Sequence, residues 1–294
     1  MALRMTPPNH PQLRTTLLQK LLKENDAKLQ LEVVCLLAEH PSKDRFGVLR
    51  EIEHDSHFDQ ATRAQAVAGL AERAQDMTDD LVKLALSDDR VLRDEALRDL
   101  TGTKLTSTQR SALEDLAKRE PATCDLVARV LGQAFFRDRP KPEDQGAWLK
   151  RLDGSADPSA GRRIFHHPKL AGCFRCHRVD GRGQDIGPDL SDIHRTERRQ
   201  IVESILQPSN NVAPRYQSWL LETKDGRVRT GMLHRTVLDD YTYVDEKGAL
   251  FVINTRDIVN SRTLPTSIMP AGLVDHLTDQ EIRDLLAFLC HPRP

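Results

Sequence analysis
Between residues 11 and 136 the chain repeats one pattern: apolar side chains at helical spacing, separated by short polar turns. Leu13, Leu17, Leu18 and Leu21 form one stripe, and Leu29, Val33, Cys35, Leu36 and Leu37 a second, stopped by Pro41. Further stripes run through 46–52, 61–71, 81–86, 91–100, 113–117 and 126–136. Asp79-Asp80 and Asp88-Asp89 stand where helix starts favour acidic caps. A faint repeat underlies the pattern. Arg63, Ala66 and Leu70 recur as Arg93, Ala96 and Leu100, and Val34 and Leu37 recur as Val67 and Leu70. A period near thirty residues built of paired helices is the signature of an α-solenoid. The stretch resembles short HEAT-like repeats. Such an array serves either as a docking surface or as a spacer packed on its neighbour.

The pattern then changes. Residues 137–146 carry Pro140 and Pro142 among charges, which breaks helices and marks a linker. Trp148, Leu149 and Leu152 restart an apolar face, and a turn at 153–158 leads into a helix from about Ser159. In that helix Gly161 and Phe165 share a face, set to cross a terminal helix over 278–289 whose apolar side holds Leu285, Leu286, Phe288 and Leu289. A helix is expected over 192–206. Four β-rich runs follow at 217–223, 227–234, 241–245 and 250–254, with turns at Lys224-Asp225-Gly226 and Glu246-Lys247-Gly248. They predict a small antiparallel sheet or open barrel, inserted at about 215–262.

Composition narrows the classes. The 294 residues are 38% hydrophobic and 30% charged, enough for two domains with ample cores, and aromatics are only 4%. The formal net charge of −1 provides no global field to recruit nucleic acid or an anionic membrane. No apolar run approaches the roughly twenty residues that span a bilayer.

The chemistry concentrates at Cys173-Phe174-Arg175-Cys176-His177. Two cysteines three positions apart, with a histidine directly after the second, are the attachment signature of c-type haem. The thiols form thioethers to the two porphyrin vinyl groups, and His177 reaches the iron from the proximal side. A structural zinc site would need two more ligands, and Cys290-His291 makes a poor second knuckle. A thioredoxin-like pair would follow a strand, whereas 161–167 reads as a short helix. For the other axial position Met269 is the leading candidate, since Pro270 holds it extended and Met/His ligation raises the reduction potential. Met232, in an expected strand, ranks second. His166, His167, His194, His234 and His276 are minority alternatives. Cys35, Cys124 and Cys290 are left over, so at most one disulfide can form among them, and each reads more simply as a small buried hydrophobe.

Trp148, Gly161 to Phe165, Cys173 to His177, Gly187-Pro188-Asp189-Leu190 and Ile205-Leu206-Gln207-Pro208-Ser209 together carry a family resemblance. It continues through Tyr216, Asp225-Gly226, Gly231, Ser267-Ile268-Met269-Pro270 and Asp284 to Leu289. Over about 146–289 the chain resembles the planctomycete-type haem-binding cytochrome c domain. The resemblance implies a mainly α fold, an N-terminal solenoid followed by a cytochrome c domain (147–294) with a β insertion. It implies one covalent haem c, held by Cys173 and Cys176, with His177 and Met269 as axial ligands. It also implies that the Pro188 carbonyl accepts the ring N–H of His177. The function it implies is single-electron transfer, as the electron-accepting carboxyl-terminal module of a larger secreted dehydrogenase-type protein. Two alternatives stay open: a five-coordinate haem with peroxidase or gas-sensing activity, and a protein-binding module in which haem is structural.

The expected partners are a redox protein or a fused dehydrogenase domain, with no nucleic acid and no membrane span. Arg162, Arg163, Arg175, Arg178 and Arg182 either steer an acidic redox partner or serve the haem rim and propionates. The first residues hold no apolar core of signal-peptide length, although haem attachment occurs outside the bacterial cytoplasmic membrane. The expectation is a mature form, or an excised piece, of a periplasmic or otherwise exported protein.

Overall fold
The computed structural model describes residue 3 and residues 6–133 and 138–292. The end of the expected 126–136 stripe, and the expected boundary at 137, lie outside the described residues. Among the described residues the α-helices from residue 15 to that point are α1 (Thr15–Leu21), α2 (Ala27–Glu39), α3 (Arg45–His54), α4 (Gln60–Ala68), α5 (Thr78–Ala85), α6 (Arg90–Asp99), α7 (Ser107–Arg119) and α8 (Cys124–Val130). Each follows one of the expected stripes. Their inward faces build one core that includes Leu18, Val34, Leu37, Leu70, Ala96 and Leu100.

The internal repeat has a physical counterpart in the caps. Asp26, Asp59 and Asp89 each cap a helix, their carboxylates accepting from backbone N–H groups of the first turns of α2, α4 and α6. Polar contacts also recur at the repeat spacing. Gln60 Nε2 donates to Asp89 Oδ1 at 2.7 Å, Gln109 Nε2 to Asp79 Oδ1 at 2.7 Å, and Lys104 N to Gln75 Oε1 at 2.8 Å. Arg50 pairs with Asp80 thirty residues on.

The second half is α9 (Gln145–Arg151), α10 (Pro158–His166), the two-residue strands β1 (Arg178–Val179) and β2 (Arg182–Gly183), and α11 (Arg198–Leu206). Then come β3 (Gln217–Thr223), β4 (Val228–Val237), β5 (Asp240–Val244), β6 (Leu250–Asn254) and β7 (Ile258–Ser267), before α12 (Asp279–Cys290). A second core gathers Trp148, Ile164, Phe165, Ile201, Leu285, Leu286 and Leu289. As expected, α10 crosses α12 at Gly161. A Cβ there would sit 1.9 Å from the Asp284 carbonyl oxygen and 2.8 Å from Phe288 Cβ, so only glycine permits this approach. Thr278 closes α12 with a reciprocal capping box to Glu281.

Three expectations need correction. The fold is mixed α/β rather than mainly α, because the insertion is larger than foreseen. Its sheet has five antiparallel strands in the order β6-β5-β4-β3-β7, open at both edges and not closed into a barrel. The unforeseen strand β7 pairs with β3 along the edge, and most of its side chains are exposed, five of the ten being exposed polar groups. Its Pro265 suits an edge, where a missing N–H breaks no ladder. The helix expected over 192–206 is a 3₁₀ turn at Ile193–Arg195 followed by the shorter α11.

The two cores are tied by buried ion pairs. Glu281, 1% exposed, receives Arg98 Nε at 3.0 Å and the fork of Arg129 at 2.5 and 2.9 Å. Arg163 Nε reaches Glu95 Oε2 at 2.6 Å, and His167 Nε2 lies 3.0 Å from Asp99 Oδ1. Four side chains of the first half, Glu95, Arg98, Asp99 and Arg129, thus lock onto α10, the residue after it, and α12.

Candidate functional site
The Cys-x-x-Cys-His segment opens on Gly172 in the left-handed conformation and turns through a 3₁₀ helix at Cys173–Arg175. The His177 N–H donates to the Cys173 carbonyl at 2.9 Å, so both cysteines and the histidine sit on one tight turn. The chain then loops back. Gln184 N donates to Phe174 O at 2.9 Å and Gly187 N to Cys176 O at 2.7 Å. Asp189 steadies the return by accepting from Ser191 and from Arg178 Nε at 3.0 Å.

This return carries Pro188 to the histidine. His177 Nδ1 lies 2.9 Å from the Pro188 carbonyl oxygen. A carbonyl can only accept, so Nδ1 carries the proton and Nε2 is left with its lone pair. Burial holds the imidazole below its ordinary pKa, only partly offset by the bond to Pro188, so the ring is neutral at pH 7. A neutral, oriented imidazole is what a metal ligand requires. Gly187 lies flat against that ring. A Cβ there would stand 2.7 Å from His177 Cε1 and 2.9 Å from Nδ1.

Beside the ring is a cavity of about 400 Å³. Cys176, His177, Gly187 and Pro188 line it on the loop side, Ile201, Ser204 and Ile205 from α11, and Leu289 from α12. The β insertion contributes Met232 from β4, and Ile268 and Met269 come from the chain just after β7. The volume is that of an ordinary small-ligand or cofactor site, and the wall is mainly apolar. The loop at Met269 is held by its N–H donating to Ser267 Oγ at 3.0 Å, and by Ser267 N donating to Ser209 Oγ at 3.2 Å.

The predicted residues are therefore brought together, with distinctions. Cys176, His177, Pro188 and Met269 line one cavity. Cys173 packs instead against the second core, where burial pushes its thiol up to about 12. Met232, ranked behind Met269 from sequence, lines the same cavity at 2% exposure, while Met269 is half-buried. None of His166, His167, His194, His234 or His276 lines it. All five cysteines are free thiols. Among the described residues no group of three or more His, Cys, Asp or Glu side chains is arranged to hold a metal ion.

The arginines divide. Arg163 and Arg182 are buried between the two cores and Arg162 is largely covered there, whereas Arg175 is exposed and Arg178 half-exposed. The last two are the more exposed of the five, and burial corrects the expectation of partner steering for the other three. The missed residues share a cause. Glu95, Asp99 and Glu281 look like ordinary helix-surface carboxylates in a polar pattern, and only the docking of α10 and α12 turns them inward. No helix of the described residues is long and apolar enough to cross a membrane. No protein-family model matches the chain, and no curated protein matches it.

Proposed function
We propose that the chain is a monohaem c-type cytochrome module that transfers single electrons. The observation that carries this reading is the Cys173-x-x-Cys176-His177 turn, with His177 oriented through Nδ1 by Pro188 beside a cavity that Met269 also lines. The residues present fit the group. Haem c, held by Cys173 and Cys176, supplies a one-electron couple with little rearrangement of the protein. His177 is presented neutral with Nε2 bare, and Met269 offers a soft thioether from a loop stiffened by Pro270 and the two serine bonds. The apolar wall excludes water, which would favour the Met269 thioether as a ligand were haem bound there. Met232 packs the same wall as a second thioether.

In this reading residues 11–136, described as far as 133, form a HEAT-like α-solenoid. The recurring Asp caps at 26, 59 and 89, and the polar contacts at a separation of 29 or 30, support it. The module works outside the cytoplasmic membrane, where haem c is attached. It takes electrons from a redox protein or a fused dehydrogenase domain, with Arg175 and Arg178 as the exposed cations nearest the attachment turn.

The test is attachment itself. Matured with a bacterial c-type haem assembly system, the wild type carries haem that survives denaturing electrophoresis, and Cys173→Ser with Cys176→Ser loses it. Wild-type protein that emerges folded but without covalent haem would overturn the proposal.

A further inference from the structure
A second cavity, of about 460 Å³, lies between the two halves and shares no lining residue with the His177 cavity. Its walls come from α2, from the end of α4, from α10, and from Phe174 and residues 181–184 of the attachment loop. Arg182 forms part of this wall and is 2% exposed. Its Nη2 makes long contacts to Glu32, 3.3 Å to Oε2 and 3.4 Å to the carbonyl oxygen, while Nε and Nη1 have no acceptor. Burying guanidinium N–H groups without acceptors is costly, and the cost is recovered when an oxyanion meets them.

The surrounding charges leave room for one. Arg162, also on the wall, reaches the same Glu32 at 3.5 Å, so two arginines share one carboxylate. Arg45 is held by Glu72 at 2.6 Å and Arg163 by Glu95 at 2.6 Å. Asp180 acts on Arg162 from outside the wall, and Glu39 is the remaining carboxyl on it. Burial pushes it above its ordinary range despite Arg182 and Arg162, which favours its neutral form. Ala38, Pro41, Ala68 and Phe174 supply the apolar part of the wall, beside the polar Asn9, Gln65, His166, His167 and Gln184. The space is larger than an inorganic ion needs.

We infer that this cavity binds a small organic anion, its carboxylate or phosphate head taken by Arg182 and Arg162 and its body lying against Phe174 and the alanines. The inference does not depend on haem. Such a ligand touches both halves and the attachment loop at once, so its binding tightens the joint between them.

The full chain is titrated calorimetrically with sodium benzoate, sodium acetate and sodium phosphate, each against sodium chloride of equal ionic strength. Wild type, Arg182→Gln and Arg162→Gln are compared, with thermal unfolding as a second readout. Saturable binding of at least one anion, with a matching rise in Tm, is expected, weakened at least tenfold in both variants. Benzoate well above acetate assigns the apolar body, and phosphate equal to benzoate assigns the head alone; either supports the site. Should Arg182→Gln fail to fold, the partly exposed Arg162→Gln decides. No saturable binding of any of the three, or binding unchanged in Arg162→Gln, overturns the inference.

Discussion

Glu281→Gln tests how the two halves are held together. The substitution keeps the shape of the side chain and removes the charge that answers Arg98 and Arg129. Burial alone would raise the Glu281 carboxyl, but the charge and hydrogen bonds of Arg129, then the charge of Arg98, outweigh it and bring it to about 2, against an ordinary 4.5. At about 1.36 kcal/mol per decade, that gap is worth about 3 kcal/mol. An independent figure comes from leaving the buried Arg129 guanidinium without its counter-charge, while Arg98 keeps Glu95 at 2.7 Å, a loss of about 3–5 kcal/mol. A carboxyl whose folded value is depressed contributes its stability above the unfolded value and loses it as pH falls towards the folded one. The contribution is therefore full at pH 7 and declines between about pH 4.5 and pH 2. Urea unfolding followed by circular dichroism, repeated across that range, reads both. The variant should be about 3–5 kcal/mol weaker at pH 7 and should converge on the wild type as pH approaches 2. A loss below about 1 kcal/mol at pH 7, or a constant difference at all pH values, would refute the reasoning.

Two further outcomes follow from the same joints. Gly161→Ala places a methyl group 1.9 Å from the Asp284 carbonyl oxygen, and α10 and α12 must separate. A loss of at least about 3 kcal/mol is expected in chemical unfolding, more than ordinary overpacking because the obstacle is backbone; a Tm within about 2 °C of wild type would contradict it. Asp99 is buried against His167, and burial raises its carboxyl to about 6 although His167 pulls the other way. A raised acid is most stabilising below its unfolded value and loses that as pH climbs through the folded one. Wild-type stability should therefore fall, relative to Asp99→Asn, as pH rises from about 4 to about 6, because asparagine keeps an acceptor for His167 and never ionises. Parallel pH profiles would rule this out.

Much of the fold is legible in the chain because local rules and global packing agree there. The apolar stripes of α1 to α8 announce helices whose inner faces are the first core. β3 and β6 fall on the alternating runs 217–223 and 250–254. Gly161 and Phe165 announce the crossing with α12, and the resemblance carried by Gly187-Pro188 implies the loop that returns to the imidazole. What could not be read depends on partners distant in sequence. β7 is a polar edge strand, ordered by its ladder with β3 rather than by a buried face of its own. Met232 shares the cavity with Met269 only because β4 and the segment after β7 line it together. Glu281 lies 183 residues from Arg98, and no periodicity reports such a pair.

The central claim stands most directly on the visible spectrum of the haem-matured protein, oxidised and reduced, for wild type and Met269→Ala. The account predicts a low-spin wild type with a far-red methionine–iron band that Met269→Ala abolishes, while Met232→Leu leaves it in place. A high-spin wild type, or one that readily takes up carbon monoxide when reduced, would contradict the electron carrier. A band that survives Met269→Ala and is lost in Met232→Leu would move the ligand to β4.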